Sequence, residues 1–148
     1  MTRVSLANLK APPLATWLMV VKHPEQGDDV NGKALCDELR RVLKLHATGT
    51  VCLFHEGTGM VNARIGYANA FKELDRELSE RVTEVVCAIP GPIPRMMLYT
   101  VATLSKRQWT IFRTRSEAEM HMRMRGYSAT DYRELVTGSV DLRVPGSS

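Results

Sequence analysis

Continuous apolar runs alternate along this chain with segments in which apolar residues recur every third or fourth position. Thr16–Val21 (TWLMVV) is a run of the first kind, the pattern of a strand buried on both faces, and Pro24 and Gly27 end it. From Asp29 onward, Leu35, Leu39, Val42 and Leu43 fall on one helical face, with Asp28 or Asp29 able to cap the first turn and Thr48-Gly49 closing the element. Thr50–Phe54 (TVCLF) is the next buried strand, followed by the glycine turn Glu56-Gly57-Thr58-Gly59. Tyr67, Ala70, Phe71, Leu74 and Leu78 mark a second amphipathic helix, for which Asn62 is the expected cap. Thr83–Ile89 (TEVVCAI) is a third strand, broken by Pro90-Gly91-Pro92. Ile93, Met96, Met97, Val101 and Leu104 predict a third helix, with Pro92 or Pro94 in its first turn. Trp109–Phe112 is the last clear strand, and Ser116 with Glu119 reads as a capping box for a fourth helix that Gly126 ends.

The two ends are less patterned. Val4–Leu9 predicts a short strand that would pair antiparallel at a sheet edge. Tyr132, Leu135 and Val136 predict a short helix, and Ser139–Val144 a small strand or a loose arm. Three strand–helix–strand units imply the α/β class: a single domain with a mostly parallel sheet of four to five strands, right-handed crossovers and about four helices. The expected division is a domain over residues 1–126 and a C-terminal extension over 127–148.

Composition narrows this reading. With 148 residues and 44% hydrophobic content, the chain can bury a core that needs neither disulfide nor metal. Cys36, Cys52 and Cys87 are odd in number and unpaired in spacing, as expected of buried thiols in a reducing, cytoplasmic setting. No run of about 18 apolar residues suggests a membrane span, and MTRVSLANLK lacks the apolar core of a signal peptide. The net charge of +4 is regional: residues 1–90 carry 11 basic and 11 acidic side chains, whereas residues 91–125 carry 7 basic and 2 acidic. Arg95, Lys106, Arg107, Arg113, Arg115, Arg123 and Arg125 supply that surplus, which suits an anionic surface or a simple solvated face. An aromatic content of 6% disfavours a single-stranded nucleic-acid platform.

From about Ala15 to Met122 the order of elements resembles the SpoIIAA-like family, which is related to STAS domains. The best-matching stretch is VTEVVCAIPGPIPRMMLYTVATLSKRQWTIFRTRSEAEMHM, Val82 to Met122, with the strand–helix unit after GTVCLFHEGTG matching in layout. The resemblance implies a bacterial regulatory module of STAS-like fold. Its expected recognition surface is the helix Ala63–Ser79 and the turn before it, its expected partner another protein or a small apolar or anionic ligand, and a homodimer is compatible with it. STAS antagonists carry a phosphorylatable serine in the corresponding turn. Here that turn reads HEGTGMVNA, with Thr58 as its one hydroxyl, so the usual phospho-switch is not expected.

Ligands of open α/β sheets sit beyond the carboxyl ends of the strands. Three such ends carry polar residues, and His55, Glu56, Thr58, Asn62, Arg95 and Arg113 are the candidate ligand or partner contacts. An anion could also sit at the helix start after Gly59. A small enzyme around His55, Glu56 and Arg95 is the alternative, weakened because neighbouring residues of a strand face opposite ways. No residue is assigned to catalysis. His23, His46, His55 and His121 occur singly, so no metal is expected, and no glycine motif for a nucleotide cofactor is present. Among the eight methionines, Met96 and Met97 fit core filling, whereas Met120, Met122 and Met124 could cover a groove or a dimer contact.

Overall fold

The computed structural model describes residues 15, 17–46, 49–78, 80–105, 108–127 and 140–143. Five strands form the main sheet: β1 (Trp17–Lys22), β3 (Val51–Glu56), β5 (Val82–Ala88), β6 (Gln108–Phe112) and β7 (Val140–Arg143). Two short strands, β2 (Gln26–Gly27) and β4 (Asn62–Ala63), pair parallel beside it. The helices are α1 (Asp29–His46), α2 (Ile65–Glu77), α3 (Pro92–Leu104) and α4 (Arg115–Met124). The sheet order is β6-β5-β3-β1-β7, parallel throughout except for β7, which runs antiparallel to β1 at the edge.

This order explains the layering. The chain steps from β1 to β3, β5 and β6, each time to the next position in one direction. Right-handed crossovers in one direction place α1, α2 and α3 on the same face of the sheet. Their apolar stripes pack on Met19, Val21, Leu53, Val85 and Cys87. On the opposite face, Leu18, Val20, Cys52, Phe54, Val86 and Ala88 are covered by Ala118 and Met122 of α4 and by Tyr127. A strand buried on both faces must be apolar at every position, which is why β1 and β3 read as continuous runs.

The sequence-predicted elements are present with altered ends. Strand β3 runs two residues past Phe54, so His55 and Glu56 belong to the sheet. Asp28 caps α1, accepting a 2.8 Å bond from the Asn31 amide. Asn62 does not cap α2; it lies in β4 opposite Gln26, and α2 starts at Ile65 after an extended Arg64 with no side-chain cap. The helix start is therefore six residues beyond Gly59 and offers no anion site at that glycine. The capping box of α4 is Thr114 with Glu117, two residues before the expected Ser116 with Glu119; Thr114 Oγ1 accepts from the Glu117 amide at 3.2 Å. The antiparallel edge strand comes from Val140–Arg143, within the C-terminal extension. Val4–Leu9 and the Tyr132–Val136 segment lie outside the described residues.

A bulge in β5 redirects one charged side chain. Val51 pairs with Val82 but Cys52 pairs with Glu84, so Thr83 is the extra residue. Glu84 thereby faces the α4 side and is 4% exposed. Arg125 grips it through Nη2 at 2.9 Å and Nε at 3.3 Å, and the Tyr127 hydroxyl donates to it at 3.3 Å. Arg115 likewise approaches a buried carboxylate, Glu56, at 3.8 Å. Two cations of the basic 91–125 region are thus turned inward onto carboxylates of the preceding, charge-balanced region, which shrinks the surplus available to an external anion.

Candidate functional site

The carboxyl ends of β1, β3 and β5 lie side by side, with Lys22 opposite Glu56 and Glu56 opposite Ala88. The alternation of side chains along β3 splits the expected polar cluster between the two faces of the sheet. His55 goes to the side of α1–α3 and Glu56 to the side of α4. Both are buried, at 3% and 0% exposure.

On the α4 side, Glu56 is fully engaged. Its Oε2 takes Lys22 Nζ at 2.7 Å, and its Oε1 takes the Thr58 amide at 2.7 Å and the Thr58 hydroxyl at 2.5 Å. Burial opposes its charge, but the bonds from Lys22 and Thr58 outweigh it and hold the carboxyl below its ordinary range. This cluster is saturated by its own partners. Arg95 turns back onto its own loop, donating to the carbonyls of Ile89 at 3.3 Å and Pro90 at 2.7 Å. Arg113 is exposed after β6. His55, Glu56 and Arg95 therefore do not form one constellation, whereas Glu56 and Thr58 do meet.

On the α1–α3 side, His55 belongs to a chain of rings. The Tyr67 hydroxyl lies 2.6 Å from His23 Nδ1, and His23 Nε2 lies 2.8 Å from His55 Nδ1. His55 stacks on Trp109 with planes 11° apart and centroids 5.9 Å apart, and Phe71 closes edge-on at 5.5 Å. Burial holds the His55 imidazole down at about 4. Burial, then the neighbouring His55, holds His23 well below its ordinary value, and burial raises Tyr67. Both imidazoles are accordingly neutral at neutral pH.

These rings wall one side of a cavity of about 40 Å³ between the sheet, α2 and α3. The rest of the wall is apolar, from Met60, Ala63, Ala68, Phe71, Ile89, Pro94, Met97, Leu98 and Val101. No Ser, Thr, Cys, Asp, Glu, Lys or Arg contributes to it. The Trp109 Nε1 hydrogen is buried without a partner. Tyr67, His23 and His55 bond one another, and the accessible wall of the cavity is almost wholly apolar and carries no fixed charge. All three thiols are buried and their pKa values raised, Cys36 to about 12 chiefly by burial. Among the described residues, no group of three or more His, Cys, Asp or Glu is placed to hold a metal ion, and no helix is long and apolar enough to cross a membrane.

His23, Tyr67 and Trp109 were not among the sequence-derived candidates. Their common signal is positional. His23 directly follows β1, and with Val21 opposite His55 in the register it stands two positions on, as the same-face diagonal neighbour of His55. Tyr67 and Trp109 read as ordinary core positions; the packing of α2 against the strand ends brings the Tyr67 hydroxyl to His23, and β6 brings the Trp109 ring onto His55. No family model, no curated protein and no solved structure matches the chain.

Proposed function

We propose that the chain is a non-catalytic, STAS-like binding module of the cytoplasm that holds a small ligand in the cavity under α3 and reports its occupancy to a protein partner. The observation that supports this reading is the cavity itself. It lies toward the carboxyl ends of β1, β3 and β5, beside the ring chain, and its wall is almost wholly apolar. A lining almost wholly apolar and without charge favours binding over turnover. Ile93, Met96 and Tyr99 leave the outer surface of α3 apolar, at 54%, 67% and 52% exposure, with Val61 and Ile65 exposed before and at the start of α2. That surface is where a partner would sense movement of α3.

The test is a titration with toluene, followed by backbone amide shifts and thermal stability. Binding should perturb the residues of the cavity wall, rise in Met97→Ala, whose cavity is larger, and vanish in Ala68→Phe, whose cavity is filled. No response in either the wild type or Met97→Ala would defeat the reading. A second reading, a small acid–base enzyme, has the Tyr67–His23–His55 chain in its favour. It predicts a turnover that His55→Gln abolishes.

A further inference from the structure

Strand β6 ends the main sheet. It pairs on one side with β5 and, among the described residues, with nothing on the other. Alternate residues of a parallel strand turn both backbone groups toward the same neighbour. The Phe112 carbonyl accepts from the Ile89 amide at 3.0 Å, so Gln108, Thr110 and Phe112 face β5. Trp109 and Ile111 then direct their N–H and C=O groups away from the sheet, where no described residue bonds them. The side chains are open as well. β1, β3 and β5 are buried almost throughout, whereas Trp109, Thr110, Ile111 and Phe112 are all half-buried. Trp109 and Ile111 pack on the α1–α3 face and Phe112 on the α4 face, so neither layer of helices fully covers the strand. The opposite edge is built differently. There β7 carries Asp141 and Arg143 at alternate positions, a charge pattern that blunts an edge against further pairing. β6 reads QWTIF and carries no charge.

Charge gathers instead at the two ends of β6. Of the seven cations in the basic 91–125 region, Arg115 and Arg125 reach buried carboxylates and Arg95 bonds its own loop. Three of the remaining four bracket the strand: Lys106 and Arg107 directly precede it in sequence and Arg113 directly follows it. Arg113 is exposed, with no ion pair among the described residues. Pairing two copies through this edge, in either direction, would set basic ends beside basic ends, and like charges placed opposite are destabilising. The same charges attract an acidic chain. We propose that β6 is a docking edge for an extended segment of another protein, apolar or β-branched at its centre and acidic at both ends, which adds to the sheet as a sixth strand. The segment's backbone bonds the outward groups of Trp109 and Ile111. Its side chains alternate, covering Trp109 and Ile111 on one face and Thr110 and Phe112 on the other. Its carboxylates meet the basic ends. This docking is independent of what the cavity holds.

The probe is the blocked peptide DEVTVTVED, titrated into the full chain at low salt, with KKVTVTVKK as its control. Backbone amides are followed by ¹H–¹⁵N correlation and by hydrogen exchange. The Trp109 and Ile111 amides should shift downfield and gain protection, while Thr110 and Phe112, already bonded to β5, change less. The acidic peptide should bind about tenfold more tightly than the lysine form, and Arg113→Glu should narrow that ratio. N-methylation of alternate peptide nitrogens should abolish binding in one frame and spare it in the other, a result that contact through side chains alone does not give. Ile111→Pro removes one outward N–H without touching the ladder to β5 and should abolish binding, whereas Ile111→Ala should keep it. The N-methylated peptides test the same bonds on the unaltered protein. No binding of the acidic peptide, shifts that spare β6, or N-methylation without effect in both frames would overturn the docking edge. Equal binding of the acidic and lysine peptides would overturn the choice of partner. Self-association through β6, seen by sedimentation and lost in Ile111→Pro, would overturn it in favour of a second copy.

Discussion

Acid should destabilise this protein well above the carboxylate range, because folding hides imidazoles that the unfolded chain would protonate. His55 titrates near about 4 in the folded state, against an ordinary value near 6.5. Between those values the unfolded chain binds a proton that the folded chain refuses. Stability therefore rises with pH across that window, is complete above it, and is lost as pH falls through it. For His55 alone the loss is about 2 kcal/mol by about pH 5 and about 3 kcal/mol by about pH 4. His23, held lower still by burial and by His55, acts in the same direction. Glu56, whose carboxyl is also held down, adds its loss only at more acidic pH. Against a typical domain stability of about 5–15 kcal/mol, 2 kcal/mol is readily measured. The assay is urea unfolding at about pH 7 and about pH 5, followed by tryptophan fluorescence at constant ionic strength. With a urea slope of about 1–3 kcal/mol/M, the midpoint should fall by about 1 M. His55→Gln should recover a large part of that shift. The reasoning is refuted if the wild-type midpoint is the same at both pH values, or if His55→Gln keeps the whole difference.

Three further expectations follow from the packing. Lys22→Met should cost about 3 kcal/mol, because it leaves the fully buried Glu56 carboxylate without its closest cation; urea unfolding at neutral pH checks it, and a loss under about 1 kcal/mol would show that Thr58 and Arg115 suffice. Arg125→Met should cost a similar amount by stranding Glu84, and Glu84→Gln combined with it should recover part of the loss, read as a double-mutant cycle. Gly32→Ala should destabilise by about 1–3 kcal/mol although alanine favours helices, because the added methyl would stand 3.2 Å from Tyr67 Cα, a backbone atom that cannot swing aside. The same variant should shift Tyr67 away from His23, visible as a changed imidazole resonance.

Hydrophobic pattern alone determined the elements and the class. Apolar runs marked β1, β3 and β5 because strands covered on both faces cannot alternate, and the 3.6 period marked α1 to α3 because each buries one stripe. Strand–helix alternation implied parallel pairing, and chirality put the crossover helices where they are. The sequence could also say that His55 and Glu56 would part, since period two is a property of any strand. It could not say what each would meet. That depended on tertiary choices: which strands are neighbours, where Thr83 bulges, and how closely Gly32 lets α1 approach α2. Those choices brought His23, from a separate strand end, onto His55 and put Tyr67 and Trp109 beside them. They also turned Arg115 and Arg125 inward, so that a basic stretch of sequence became partly an internal counter-charge. Local pattern fixes what a residue prefers; only the assembled sheet, through register and face, decides which distant residue satisfies it.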